Sequence, residues 1–444
     1  MRFIFCFLIT ISAFSQSVNW EGSVSASGLF SSEDATPFWM FRNTNNQWGE
    51  ETTFSGTGEI LATYDINETS ELKGGAAFFY RNEVQDEFQR RDLFIQFTNA
   101  WLNATVGARR GKTRKGGLST TNANFLLSEN ARPLPGVLLE ASNPLKISDN
   151  LAIDWGIGHY WLNGDRYVDD ALVHYKRLGL HVKLNENHTI KGQIQHYAQW
   201  SGTSPDFGDL PSGFDTFVDV FIAKQSEEIG EDGEITNAVG NHLGSYLLDY
   251  SFKTNVGIFS LYHEHPFEDG SGTALKNIPD GVWGIYFVPS NQKLFNGILY
   301  EYVGTNDQGV GNQLAGSDNY FSNNVYRSGW TYDGNVLGVP FILIDPNREI
   351  TSETSPIISN RTKVHHFGLS GTFRKISWMF KTSIAKHLGT YNSPFTSDID
   401  LLHNYLSVRY NTPNYGSFRL FTGLDSGESI DTSFGAGLEY SYQF

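Results

Sequence analysis

Four groups of side chains are dense enough to carry chemistry. From about Gly304 to Lys363 the chain is polar and aromatic at once, and its centre runs through Asp318, Asn319, Tyr320, Asn323, Tyr326, Arg327, Trp330 and Tyr332. Flat aromatic faces stack on the apolar faces of sugar rings, while Asn, Asp and Arg hydrogen-bond hydroxyls and carboxylates. These eight residues are therefore candidate glycan contacts. The same composition equally suits a loop that packs on itself and caps or plugs whatever holds it. The second group is Arg109, Arg110, Lys112, Arg114 and Lys115, a local reversal of sign in a chain of net charge −16. Arg109, Arg110 and Lys112 are candidates for an acidic polysaccharide or for lipid phosphates; the plainer reading is a solvated turn.

The third group, His263, Glu264, His265, Glu268 and Asp269, has two histidines that would share a strand face. That suits two metal ligands but fixes no third, and a polar loop rim explains it more simply. His365 and His366 are weaker, since neighbours on a strand point to opposite faces. The fourth, Glu227, Glu228, Glu231, Asp232 and Glu234, reads as a solvated acidic loop. No Gly-x-Ser-x-Gly sits in a strand–turn–helix context, and no carboxylate pair stands out by local signature. No catalytic residue, metal or cofactor is assigned, and the chain is expected not to be an enzyme.

What must position these groups is a set of strands. Residues alternate with period two, as they do when i and i+2 share a face. Trp20, Gly22, Val24, Ala26, Gly28 and Phe30 alternate with Glu21, Ser23, Ser25 and Ser27; Phe434, Ala436, Leu438, Tyr440, Tyr442 and Phe444 alternate with Gly435, Gly437, Glu439, Ser441 and Gln443. Similar patterns lie at 54–64, 102–109, 190–199 and 376–384, with no sustained helical period. Residues 1–16 are expected to be a signal peptide: Arg2, then a nearly unbroken apolar run from Phe3 to Phe14, too short for a spanning helix. Cys6, the one cysteine, falls inside it, so residues 17–444 have no disulfide and no Cys-based zinc site.

Candidate strands of about 7–11 residues match a tilted bilayer crossing. The expected fold is all-β: a transmembrane antiparallel β-barrel of about 18 strands, with extracellular loops and a partly plugged lumen. Closure removes sheet edges and pairs every backbone group inside lipid. An aromatic strand ending in Phe444 also resembles the signal by which outer-membrane barrels are recognised for insertion. With Phe444 at the periplasmic end, His387–Asp400, Gly304–Lys363 and Glu264–Gly281 fall outside. The parity slips at Asn185-Glu186-Asn187, a short turn on the wrong side, which implies a strand miscounted between Gln199 and Asn241. The acidic balance argues against nucleic acid as a partner.

Several segments together resemble the Wzi-like capsule assembly family of Gram-negative outer membranes. They are Leu126-Leu127-Ser128-Glu129-Asn130-Ala131-Arg132-Pro133-Leu134-Pro135, Gln199-Trp200-Ser201-Gly202-Thr203-Ser204-Pro205, Gly240-Asn241-His242-Leu243-Gly244-Ser245-Tyr246, His265-Pro266-Phe267-Glu268-Asp269-Gly270-Ser271-Gly272, and Asp318 to Phe321 with Tyr326 to Tyr332. The resemblance implies an eighteen-stranded barrel in the cell outer membrane and a lectin-like, non-enzymatic role in holding capsular or extracellular polysaccharide. It transfers no binding residue. The expected partners are that polysaccharide and outer-membrane lipid, with the protein as a monomer. A porin for small solutes is the alternative. An acidic chain meeting an acidic polymer would need cations such as Arg327 and the Arg109–Lys115 cluster, or bridging divalent ions, to offset repulsion.

Overall fold

Eighteen antiparallel strands close into a ring in which each is hydrogen-bonded to its neighbours in sequence. The computed structural model describes residues 18–224, 239–268, 270–308 and 319–444. The segment 1–16, expected to be a signal peptide, the acidic run at 227–234, Asp269 and Asp318 lie outside the described residues.

In chain order the strands are β1 (Asn19–Ser31), β2 (Phe54–Asn67), β3 (Ser70–Arg81), β4 (Phe88–Thr98), β5 (Leu102–Ala108), β6 (Gly136–Ala141 continued by Leu145–Ser148), β7 (Leu151–Leu162), β8 (Ala171–Asn185) and β9 (His188–Trp200). The second half is β10 (Asn241–Lys253), β11 (Gly257–Phe267), β12 (Gly281–Pro289), β13 (Gly297–Gly304), β14 (Thr362–Phe373), β15 (Ile376–Gly389), β16 (Pro394–Asn411), β17 (Ser417–Gly427) and β18 (Ile430–Gln443). The two segments of β6 pair with the same neighbour, β7, and so form one stave. The ring closes where β1 meets β18, in register from Ser23↔Gln443 to Ser31↔Gly435. At that seam Gly22 and Phe444 exchange both backbone hydrogen bonds at 2.9 Å, and the Phe444 ring lies where a Gly22 side chain would start, 2.4 Å from an ideal Cβ.

The period-two pattern becomes an inside and an outside. Leu93, Ile95, Val106, Leu178, Leu248, Ile384, Leu420 and Leu438 all face away from the lumen and are exposed, as a wall in contact with acyl chains requires. Large aromatics ring both edges of this belt: Phe30, Phe54, Phe88 and Trp161 at one end, Trp20, Trp101, Phe373, Tyr410 and Phe418 at the other. Such girdles mark the two membrane interfaces. No helix among the described residues is long and apolar enough to cross a membrane; the strands do the crossing.

Turns at 68–69, 99–101, 149–150, 186–187, 254–256, 290–296, 374–375 and 412–416 share one end with both termini. The long connections 32–53, 109–135, 201–240 and 305–361 share the other. Short turns mark the periplasmic end and long loops the external one. The Asn185-Glu186-Asn187 turn therefore lies on the periplasmic side, and no barrel strand occurs between Trp200 and Asn241 among the described residues. The turn at 254–256 restores the alternation that the sequence reading had lost.

Candidate functional site

Three external loops fold inward and fill the lumen. The first, 32–53, carries the short helix α1 (Phe38–Phe41), whose Phe38, Trp39 and Met40 are buried. The second is 109–135 and the third 305–361. Their side chains build a core of their own inside the ring. Phe38 stacks on Phe341 with centroids 5.0 Å apart, and Phe125 packs at 5.8 Å from Phe321. Phe125, Leu126, Phe321, Trp330, Tyr332, Leu337 and Phe341 are all wholly buried.

Polar groups fasten this plug to the wall. Glu301 of β13 accepts hydrogen bonds from Ser119 Oγ (2.7 Å), Thr120 N (2.7 Å), Thr120 Oγ1 (2.6 Å) and Tyr262 Oη (2.6 Å). Glu264 of β11 accepts from Phe125 N (2.9 Å), Ser245 Oγ (2.8 Å) and Gln195 Nε2 (3.0 Å). Each carboxylate thus has several donors, the condition under which a buried charge is tolerable. In the loops, Asp280 accepts the backbone N–H groups of Asn306, Asp307 and Gln308 at 2.8–2.9 Å. Its pKa is nonetheless raised, because burial outweighs those bonds.

The aromatic candidates belong to this plug. Tyr320, Trp330 and Tyr332 are wholly buried, and Tyr326 is nearly so. Their polar tips are used internally: Trp330 Nε1 donates to Leu126 O (2.6 Å), Tyr332 Oη to Asn163 Oδ1 (2.6 Å), and Tyr326 Oη to Ser201 O (3.2 Å). Their ring faces are therefore not offered to a glycan at the loop surface, and the self-packed reading of this loop describes them. Asn319, Asn323 and Arg327 stay partly exposed. Asn323 Oδ1 braces its own turn through Val325 N (2.9 Å) and Tyr326 N (3.0 Å).

The basic group is not a surface turn. Strand β5 ends at Ala108, part-way up the wall, and the chain then crosses the lumen below the plug. Arg109 donates to Gln96 and lies over the Phe94 ring; Arg110 Nη2 meets Glu59 Oε1 at 3.1 Å. On the opposite wall, Lys115 Nζ reaches Asp249 Oδ2 (2.9 Å) and Ser260 Oγ (2.6 Å), both near the short-turn end. Lys112 and Arg114 are exposed, and the Asn122 side chain pins their backbone, accepting from Arg114 N (2.6 Å) and donating to Lys112 O (3.0 Å). These cations form the periplasm-facing floor of the plug.

The histidine–acid group is split by the strand. His263 and His265 share the outer face, as expected, with ring centroids 5.8 Å apart and His263 stacked on Trp283. Glu264 points the other way, into the lumen network. Among the described residues no set of three His, Cys, Asp or Glu could hold a metal. His366 faces inward to Leu118 O (2.9 Å), while His365 faces outward to Tyr300 Oη (2.9 Å).

Above the plug, three loops converge on an exposed patch that composition does not reveal. Tyr167 Oη donates to Asp206 Oδ2 (2.7 Å), which holds the phenol protonated above its usual range, and Tyr167 N donates to Ser328 Oγ (2.9 Å). Phe207 beside it is 63% exposed, and Arg327 lies within electrostatic reach of Tyr167. Beneath, the half-buried Arg166 guanidinium donates to Thr331 O and Gly329 O (3.0 Å), fixing the patch to the plug; desolvation pulls its pKa down to about 10. Tyr167, Asp206 and Phe207 escaped sequence reading. The one signal was a Pro205-Asp206-Phe207-Gly208 turn with an aromatic at its tip.

A plugged, lipid-belted ring of this kind is an outer-membrane β-barrel. The model of the capsule assembly protein Wzi family matches residues 117–341, just over half of the chain, and the chain belongs to that family. Among solved structures, Wzi of Escherichia coli superposes with a TM-score of 0.57 at 14% identity, over 94% of this chain and 83% of that one. It is described as a carbohydrate-binding barrel involved in group 1 capsule assembly. OccK3 of Pseudomonas aeruginosa is similar with a TM-score of 0.50 at 11% identity, over 96% of both chains. OpdL of the same organism gives 0.50 at 9% identity, over 97% of this chain and 99% of that one. At these identities the likeness is one of fold. No curated protein matches the sequence.

Proposed function

We propose that this protein acts in capsule assembly as a lectin-like, non-enzymatic barrel that holds exported polysaccharide at the cell surface. The observation that carries the reading is the filled lumen: buried side chains of three external loops occupy the space a diffusion channel would need. What is left to work with is the loop surface above. Membership of the capsule assembly family supports the same role, and so does the carbohydrate binding described for the Escherichia coli structure.

The contact surface we propose is the patch of Tyr167, Asp206, Phe207, Asn323 and Arg327. An exposed aromatic supplies a stacking face, the amide and carboxylate supply hydroxyl partners, and the guanidinium supplies a bidentate donor for sugar carboxylates. The test is pull-down of the host's own polymer by wild-type protein and by a Phe207→Ala/Arg327→Ala variant. Retention should fall by about tenfold or more if the pair supplies at least ~1.4 kcal/mol. Equal retention would remove the patch. Cells lacking the protein should make normal polymer and release it into the medium; full retention on such cells would remove the surface-holding role itself.

A further inference from the structure

One external loop turns outward instead of inward. Helix α2 (Phe214–Phe221) lies against the outer wall of β8, β9 and β10, just below their external ends. The alternation shows that this is the lipid side. Leu178 of β8, Ile194 of β9 and Leu248 of β10 are exposed on the belt, and His174 and Lys176, His196, Ala198 and Trp200, and His242 share their respective faces. Yet His174, His196, Ala198 and Trp200 are buried. The helix covers His174, Ala198 and Trp200, and His196 packs beside them on His242. Phe217 meets His174 at 5.2 Å and Trp200 at 5.9 Å between ring centroids, Phe221 meets His174 at 5.2 Å, and Val220 is wholly buried against the wall. Lys176 Nζ donates to the carbonyl of Phe221 in the last turn, the end of a helix that favours a cation.

The helix has two further faces. Phe214, Val218 and Ile222, four residues apart, form a stripe that is 78%, 39% and 62% exposed. Asp215 and Asp219 form a separate polar row, and Asp219 is paired with Lys224 at 3.2 Å. A helix free in water has no reason to expose such a stripe beside a wall that is itself apolar. We propose that α2 is an interfacial anchor. Its Phe214–Val218–Ile222 stripe is embedded among the acyl chains of the outer leaflet, continuous with the barrel belt at Leu178 and Ile194, and its Asp215–Asp219 row faces the headgroup water. This arrangement also accounts for the imidazoles and the ammonium on the lipid side of three strands. A cation on the lipid face of a barrel is costly unless it lies near an interface or is covered; here α2 covers these groups and takes over the contact with lipid.

The single cysteine, Cys6, allows a direct test. In a Cys6→Ala background, nitroxide labels are placed by Val218→Cys and Ile222→Cys on the stripe and by Asp215→Cys on the polar row. Leu178→Cys on the belt and Asn324→Cys on the loop surface serve as references. The proteins are reconstituted in phosphatidylcholine–phosphatidylglycerol vesicles, and heat-modifiability on gels confirms that each barrel is folded. Labels at 218 and 222 should favour collision with oxygen over a water-soluble nickel chelate several-fold, matching 178; labels at 215 should behave like 324. Chelate access at 218 equal to that at 324 would overturn the proposal, since the helix would then lie in water. Protection of 218 from both reagents would overturn it too, by showing a protein partner or a second copy on the stripe.

Discussion

Two stretches of the chain inside this barrel have opposite character. The apolar and aromatic side chains between Tyr320 and Ile342 are dry: Tyr320, Phe321, Trp330, Tyr332, Val336, Leu337, Val339, Phe341 and Ile342 are wholly buried. The segment from Arg109 to Lys115 is wet, with Arg110, Lys112 and Arg114 exposed to the lower lumen. By composition both look like places to meet a sugar polymer. In the structure the buried rings of the first are the core of the plug, while Asn323, Asn324 and Arg327 between them reach the loop surface, and the cations of the second are the plug's floor. An aromatic cluster in a loop is read as a binding face only when something other than the loop's own neighbours is left to cover it.

The largest effect is expected for Trp330→Ala, which empties a fully buried site and leaves Leu126 O without its donor. The loss should be roughly 3–5 kcal/mol, as for other large-to-small changes at buried aromatics. It would be read as a lower melting temperature in detergent and faster proteolysis within 305–361. Unchanged melting and cleavage would mean that the ring is not part of a core.

A smaller effect concerns pH. Burial raises the pKa values of Asp280 and Glu129 in the plug. The folded plug therefore binds these protons more tightly than the unfolded chain does. Their contribution is full at pH below the ordinary carboxylate range, falls as pH rises towards the raised values, and is level above them. Asp280→Asn should flatten this fall when melting is followed upward from pH 4; an identical slope in wild type and variant would show that Asp280 does not titrate this way. The smallest effect is expected at the floor. Lys112→Ser and Arg114→Ser remove exposed cations without an ion pair among the described residues, so stability should change by less than about 0.5 kcal/mol. A drop comparable to that of Trp330→Ala would mean that the floor is structural after all.

The wall was legible in the sequence because it is local. Trp20 to Phe30 and Phe434 to Phe444 announce their faces by alternation, and that alternation alone fixes which residues meet lipid. That the lumen is partly plugged, and that the 304–363 stretch could do it, was also legible from composition; the contacts that build the plug were not. Phe125 packs on Phe321, and Glu301 holds Ser119 and Thr120, contacts between residues nearly two hundred positions apart with no period to signal them. The floor was misplaced for a related reason: β5 stops short at Ala108, and nothing in Arg109 to Lys115 says that the chain then leaves the wall inward instead of turning over the rim. Helix α2 is short, and its faces make sense only against the outward row of His174, His196 and His242.

The lumen of this barrel is occupied by its own loops, and on the proposed function its work is done above them. The most direct test is conductance of the purified wild-type protein in planar lipid bilayers. Inserted barrels are expected to show no steady open-channel current, whereas a stable conductance like that of a diffusion pore would contradict the filled lumen and with it the reading of this protein as a surface-holding barrel.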